Sequence, residues 1–218
     1  MPYELIIFDC DGVLVDSEPI VNRIFVTMLA ELGHELDYKK TLVEFSGTSV
    51  ARRFEVCRQR LDFAVPSEFL GLFQKRLAEA LERELHPVPG VRAALDRIHT
   101  PCCVASNGSL QDIRARLGIA GLLSYFEPHV FSAMEVSRGK PDPELFLHAA
   151  RAMGTPPPRC AVVEDTVTGV DAGVRAGMAV FGYARLSDPT TLQAAGARVF
   201  FEMAKLPELL RLGERPPP

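Results

Sequence analysis

The chain has 218 residues, of which 47% are hydrophobic and 24% are charged, and its formal net charge is -4. This composition is typical of a globular protein and excludes a disordered chain, a collagen or a disulfide-rich scaffold. Lysine and arginine are scattered along the chain without a basic stripe, so we expect no nucleic-acid partner. The five cysteines form no CxxC pair, which argues against a zinc site or a disulfide framework.

The first apolar run of the chain is residues 5–8, which is far shorter than a signal-peptide core or a membrane span. We therefore expect a cytoplasmic protein without a membrane partner. A monomer or a weak homodimer is the expected state of assembly.

Short apolar runs predict the strands of a parallel sheet. The run 5–8 stops abruptly at Asp9, and similar runs follow at 102–105, 160–163 and 179–181, with a further candidate at 199–201. Stretches with helical spacing separate these runs; one of them ends before Gly154. The alternation predicts an α/β fold with a Rossmann-like parallel sheet core, in which ligands bind beyond the carboxyl ends of the strands.

Residues 17–86 interrupt this alternation with helical patterns and no convincing strand. One helix is predicted after Ser17, as its N-cap, and before Gly33, and further helices are predicted at 50–61 and 69–85. We interpret 17–86 as an inserted α-helical cap domain, with the catalytic core formed by 1–16 and 87–218. The two connections between core and cap would permit closure over a ligand.

The first candidate catalytic residues follow the first strand. Asp9 and Asp11 emerge there within the segment DCDG. One carboxylate can attack phosphorus, and a second can protonate the leaving oxygen and then activate water. A turn rich in Asp and Gly would give the same short segment, so this motif alone leaves both interpretations open.

Two further segments carry groups that suit a phosphate. Ser106 and Asn107 follow the second predicted strand and offer a hydroxyl and backbone amides to phosphate oxygens, although a plain Asn-Gly turn is the simpler interpretation of this segment alone. Lys140 lies in GKPDP, where two prolines restrain the backbone, and its charge could offset repulsion between a carboxylate and a phosphate.

Glu164 and Asp165 end another predicted strand. Carboxylates in that place suit Mg²⁺, a hard cation that prefers oxygen ligands. An acidic cap at the start of the following helix is the alternative explanation.

Taken together, four segments resemble the motifs of the haloacid dehalogenase superfamily. They are DCDGVLVDSE at 9–18, SNG at 106–108, KPDP at 140–143 and EDTVTG at 164–169. The helical insertion resembles the cap of the β-phosphoglucomutase-like group, and the residues around Ser106 and Lys140 are similar to those of bacterial 6-phosphogluconate phosphatases.

This resemblance implies a role for each matching residue. Asp9 would be the nucleophile and Asp11 the general acid and base, and Lys140 would bridge the nucleophile and the phosphate. Ser106 and Asn107 would bind the phosphate. Mg²⁺ would be held by Asp9, the backbone carbonyl of Asp11, and Asp165, with Glu164 close by and bound to the ion through water or directly.

The implied activity is hydrolysis of a small organic phosphate ester, a sugar phosphate or sugar-acid phosphate, through an aspartyl phosphate. A phosphosugar mutase is the main alternative, since Asp11 could move a proton between two sugar hydroxyls. The mutases carry a cap-loop arginine near the place of Val50, which favours hydrolysis here. For the cap we predict substrate contacts from Gly47, Arg52 and Arg53, although a solvated helix face would also explain the two arginines.

Three other activities are disfavoured. Haloalkanoate dehalogenases lack the second acid, whereas Asp11 is present. A Schiff-base phosphonate hydrolase needs a buried cap lysine, but Lys39 and Lys40 lie in a polar stretch. A binding module without catalysis would not need the complete set of acids and lysine.

Overall fold

The computed structural model describes residues 3–45, 48, 50–61 and 68–212. Within them, six strands form one sheet in which every neighbouring pair is parallel, in the order 3-2-1-4-5-6. The strands are β1 Leu5–Phe8, β2 Cys102–Ser106, β3 Val130–Ser132, β4 Cys160–Glu164, β5 Ala179–Tyr183 and β6 Arg198–Phe200. The predicted α/β fold with a Rossmann-like parallel sheet is confirmed.

The sequence interpretation missed β3. This strand has three residues and lies at the edge of the sheet beside β2. So short a segment shows no periodicity, and only its pairing with β2 defines it as a strand. The last predicted strand, at 199–201, begins one residue earlier, at Arg198.

Ten α-helices occur in the described part of the chain. They are α1 Glu18–Glu31, α2 Tyr38–Phe45, α3 Val50–Leu61, α4 Phe69–Glu84, α5 Val91–Leu95, α6 Leu110–Ile119, α7 Glu144–Ala152, α8 Val167–Arg175, α9 Pro189–Ala194 and α10 Leu206–Arg211. None of these helices has the length and apolarity needed to cross a membrane. The short helix α2 was not predicted, because it buries only Thr41 and Phe45.

Both faces of the sheet are covered. In β1, Ile6 and Phe8 belong to one buried apolar cluster, and Leu5 and Ile7 belong to a second. Successive side chains of a strand point to opposite faces, so a continuous apolar run is what a strand between two layers requires. This explains why periodicity of two is absent from residues 5–8.

Helices α1 to α4 pack around aromatic side chains. Phe54 of α3 lies with its ring centroid 4.9 Å from that of Phe25 in α1 and 5.5 Å from that of Phe73 in α4. Burying a side chain of this size stabilises the fold by about 1.5–3 kcal/mol. These contacts hold the helical layer together without a sheet.

Two neighbouring connections join α1–α4 to the sheet. The Asp16 amide donates to the His86 carbonyl at 2.9 Å, and the Val88 amide donates to the Leu14 carbonyl at 2.9 Å. Ser17 is the N-cap residue of α1, as predicted, but its hydroxyl makes no capping hydrogen bond and donates to Asp11 instead. The predicted stop is confirmed at Gly33, which has a φ of +85° after the last turn of α1.

Candidate active site

The carboxyl ends of three neighbouring strands bring the predicted residues of the core together. Asp9 follows β1, Ser106 ends β2 and Glu164 ends β4, and β1 lies between the other two strands. A cavity of about 220 Å³ opens at this edge. The predicted core residues that line it are Asp9, Asp11, Ser106, Asn107, Lys140 and Glu164.

Lys140 forms a buried bridge between two of the acids. Its Nζ donates to Asp9 Oδ1 at 2.5 Å and to Glu164 Oε1 at 2.7 Å, and its side chain is 4% exposed. The ammonium also lies 4.8 Å from the centre of the Phe146 ring. Burial by itself would lower the pKa of Lys140, but the charges of Asp9 and Glu164 outweigh it, so the net shift is upward and the cation is maintained.

Three buried carboxylates offer ligand atoms to a cation. Oxygens of Asp9, Glu164 and Asp165 lie within 4.8 Å of one another. Burial raises the pKa of Asp9 to about 7, with Lys140 opposing the shift and Glu164 adding to it. The pKa of Asp165 is also raised, by burial first and then by Glu164 and Asp9.

The pattern of hydrogen bonds shows which of these oxygens are available. Glu164 Oε2 accepts from the amides of Asp165 at 3.0 Å and Thr166 at 3.1 Å, and its Oε1 accepts from Lys140. Asp165 Oδ1 is buried and has no hydrogen-bond partner among the described residues. An unpaired buried carboxylate oxygen is costly, so the donor set fits a hard divalent cation such as Mg²⁺.

Gly12 allows Asp165 to approach the first loop. Its φ is +81°, and a Cβ atom at this position would lie 2.0 Å from Asp165 Oδ2. A side chain could not be placed there without displacing the carboxylate. The glycine of the DCDG segment is therefore explained by close packing of two motifs that are 153 residues apart in sequence, Gly12 and Asp165.

Both carboxylate oxygens of Asp11 are hydrogen-bonded. Oδ1 accepts from the Ser17 hydroxyl at 2.6 Å, and Oδ2 accepts from Arg116 Nη1 at 2.5 Å. Arg116 was not predicted as a site residue, because it lies within α6, outside every motif. A single arginine within a helix gives no sequence signal of this contact. The contact exists because α6 packs against the loop that follows β1.

The SNG segment and the lysine segment are joined by Asn107. Its Oδ1 accepts from the Lys140 amide at 2.9 Å, and its Nδ2 donates to the Lys140 carbonyl at 3.2 Å. Ser106 Oγ accepts from the Gly108 amide at 3.4 Å, and Ser109 caps α6 by accepting from the Asp112 amide. The Asn107 side chain thus fixes the backbone that presents Lys140.

Arg52 and Arg53, the two arginines predicted to contact the substrate, lie in different environments. Arg53 lines the cavity with a side chain that is 1% exposed, and its Nη2 donates to Glu18 at 2.6 Å. Its Nη1 has no partner among the described residues. Arg52 is 57% exposed and pairs with Glu55. Gly47, the other predicted cap contact, falls outside the residues that the structure describes.

This fold and this site define an α/β enzyme in which carboxylates and a lysine share one cavity. A haloacid dehalogenase-like hydrolase family model matches residues 3–177. The 6-phosphogluconate phosphatase of Escherichia coli is 34% identical over 209 residues, which cover 94% of each chain.

Solved structures agree with this match. A haloacid dehalogenase-like protein of Agrobacterium tumefaciens superposes with a TM-score of 0.90 at 35% identity, covering 96% of this chain and 98% of its own. A β-phosphoglucomutase-like protein of Thermotoga maritima superposes with a TM-score of 0.79 at 25% identity, covering 97% of this chain and 100% of its own. The chain therefore belongs to the haloacid dehalogenase-like hydrolase family, within which it is a phosphatase.

Proposed function

We propose that the protein is a Mg²⁺-dependent phosphatase that hydrolyses a sugar phosphate or sugar-acid phosphate through an aspartyl phosphate on Asp9. The observation that carries the proposal is the 2.5 Å contact between Lys140 Nζ and Asp9 Oδ1 in a cavity that Ser106 and Asp11 also line. A fixed cation beside a carboxylate lowers its repulsion toward a phosphate dianion. The name of the Escherichia coli relative supports the substrate class.

The chemistry divides between two aspartates. Asp9 attacks phosphorus and forms an Oδ–P bond while the bond from phosphorus to the ester oxygen breaks. Asp11 gives a proton to the departing oxygen and later takes one from the water that attacks the phosphoenzyme. Phosphate leaves and the Asp9 carboxylate is restored. Ser106 and the amides after it would hold the phosphate oxygens.

Asp9 and Asp165 would hold the Mg²⁺ ion, with the Asp11 backbone carbonyl as a further ligand. Glu164 would lie beside it and keep Lys140 in place, since both its oxygens already accept hydrogen bonds. The ion would neutralise part of the negative charge of the phosphate and the acids. The ammonium group of Lys140 would neutralise a further part of this negative charge.

The cap would complete the substrate site. We assign 17–86 to the cap domain and 1–16 with 87–218 to the core. Of the three predicted cap contacts, Arg53 has the strongest support, because it lines the cavity and its buried Nη1 has no partner among the described residues. Gly47 and Arg52 remain predicted contacts.

Phosphate release from a panel of sugar phosphates, with a parallel assay for sugar-phosphate isomerisation, tests the proposal. The wild-type protein with Mg²⁺ should release inorganic phosphate, and the Asp9→Asn variant should neither release phosphate nor form a phosphoenzyme. The Asp11→Asn variant should form the phosphoenzyme slowly and release phosphate poorly. Isomerised product without free phosphate would show a mutase instead.

A further inference from the structure

Arg116 is placed where two spaces of the molecule meet. It lines the active-site cavity, and it also lines a larger groove between α4 and α6. Val50 and Leu77 line both spaces as well. A substrate whose phosphate lies at Lys140 and Ser106 would extend its other end toward this junction.

Arg116 is also the most accessible of three cations in the described lining of the cavity. The side chain of Lys140 is 4% exposed and that of Arg53 is 1% exposed, whereas that of Arg116 is 23% exposed. Lys140 and Arg53 are already committed to buried acids. An incoming anion would therefore meet the guanidinium of Arg116 more readily than the other two charges.

Most hydrogen-bond donors of Arg116 are unused. A guanidinium carries five N–H groups in a rigid plane, and among the described residues only Nη1 has a partner, Asp11 Oδ2. Two adjacent N–H groups of this plane match the two oxygens of a carboxylate. Arg116 can thus bind a second carboxylate while it keeps its contact with Asp11.

The charges favour a carboxylate over a second phosphate. The described lining contains three cations, Arg53, Lys140 and Arg116, and four acids, Asp9, Asp11, Glu18 and Glu164. Lys140 and Arg53 are held by buried acids, so Arg116 would be the one cation of this lining left to bind a second phosphate dianion. A carboxylate carries one negative charge, which the guanidinium of Arg116 can balance with the N–H groups that do not contact Asp11.

We infer that Arg116 is a specificity-determining residue that binds a carboxylate of the substrate, remote from the phosphate that is transferred. This inference rests on the proposed function and refines it, since it selects sugar-acid phosphates over neutral sugar phosphates. It also links recognition to chemistry, because the same guanidinium positions Asp11.

Two substrates that differ at one carbon test this inference. 6-Phosphogluconate carries a carboxylate at C1, and the six-carbon alditol 6-phosphate carries a hydroxymethyl group there. Initial rates of phosphate release from both, and from p-nitrophenyl phosphate, are measured for the wild-type protein and for Arg116→Met, Arg116→Lys and Arg114→Met. Arg114 is the matched control, because it lies on the same helix and its Nη1 is 3.9 Å from Glu127 Oε1.

The wild-type protein should prefer the acid phosphate in kcat/KM. Arg116→Met should lower the ratio of kcat/KM for the acid phosphate to that for the alditol phosphate at least tenfold, chiefly through KM of the acid phosphate. Arg116→Lys should retain part of the ratio, because charge is kept and the planar pair of donors is lost. Arg114→Met should retain all of it.

Equal losses on both substrates would overturn the inference, since they would limit Arg116 to positioning Asp11. An unchanged ratio in Arg116→Met and Arg116→Lys would overturn it as well. Thermal unfolding confirms that each variant is folded, and Arg116→Lys decides alone if Arg116→Met does not fold. Absence of wild-type activity on all three substrates would instead overturn the proposed function, and this inference with it.

Discussion

Lys140 Nζ lies 2.5 Å from Asp9 Oδ1 and joins the end of β1 to the loop that precedes α7. The same atom donates to Glu164 at the end of β4, so one ammonium holds two carboxylates that would otherwise repel each other. The segment that carries Lys140 is fixed in turn by the side chain of Asn107. The positive charge of the proposed active site and the local stability therefore depend on the same contact.

Replacing Lys140 with methionine should lower both the rate of phosphate release and the stability of the protein. We expect kcat/KM for phosphate release to fall at least ~100-fold, since a preorganised charge is lost from the cavity. Unfolding in urea at pH 8 should show a loss of about 3 kcal/mol, because two acids remain buried without their cation. Lys205→Met is the control, since Lys205 pairs with Glu202 on the surface. Similar losses in both variants would contradict this account of Lys140.

Gly12 offers a test of the close approach of Asp165. Gly12→Ala should cost about 1–3 kcal/mol in stability, from the positive φ and from the contact with Asp165 Oδ2, and it should abolish the rise in melting temperature with Mg²⁺. Gly33→Ala separates the two causes, because Gly33 has a φ of +85° and nothing lies within 4 Å of its Cβ position. That variant should lose stability but keep its response to Mg²⁺; a full Mg²⁺ response in Gly12→Ala would refute the prediction.

The acids of the site predict a dependence of Mg²⁺ binding on pH. The pKa of Asp9 in the folded protein is about 7, above its ordinary value of 3.8, because burial and the negative charges of Glu164 and Asp11 outweigh Lys140, and Asp165 adds a further carboxyl group nearby. Between these values the folded state binds the extra proton, so without metal the stability contributed by Asp9 is highest at low pH and falls as pH rises toward 7.

Mg²⁺ must displace that proton to bind Asp9. The rise in melting temperature on adding Mg²⁺ should therefore be larger at pH 8 than at pH 5.5, and EDTA should reverse it. The Asp9→Asn variant, which has no proton to lose at this position, should show a smaller dependence on pH. A wild-type shift that is the same at both pH values would argue against Asp9 as a ligand.

The difference in burial between Arg52 and Arg53 gives a further prediction. Arg53→Met breaks the buried ion pair with Glu18 and should cost about 3–5 kcal/mol in unfolding free energy. Arg52→Met removes an exposed pair and should cost less than about 1 kcal/mol. KM should rise more in Arg53→Met than in Arg52→Met. Equal KM values for the two variants would remove Arg53 from the substrate site.

The sequence by itself determined five of the six strands of the described sheet and the helices α1, α3 and α4. A run such as residues 5–8 is apolar at every position because a strand between two helical layers buries both faces. Asp9, Ser106 and Glu164 could be predicted as neighbours because parallel strands end at one edge of a sheet. Those features follow from local pattern and chain order.

Only the tertiary structure decided which side chains meet within the site. The contact of Arg116 with Asp11, and that of Asn107 with Lys140, join residues that no spacing relates. Ser17 has the residue type of an N-cap, but in the folded chain its hydroxyl donates a hydrogen bond to the Asp11 carboxylate. Side-chain partners depend on distances of a few ångströms between distant segments, and packing sets those distances.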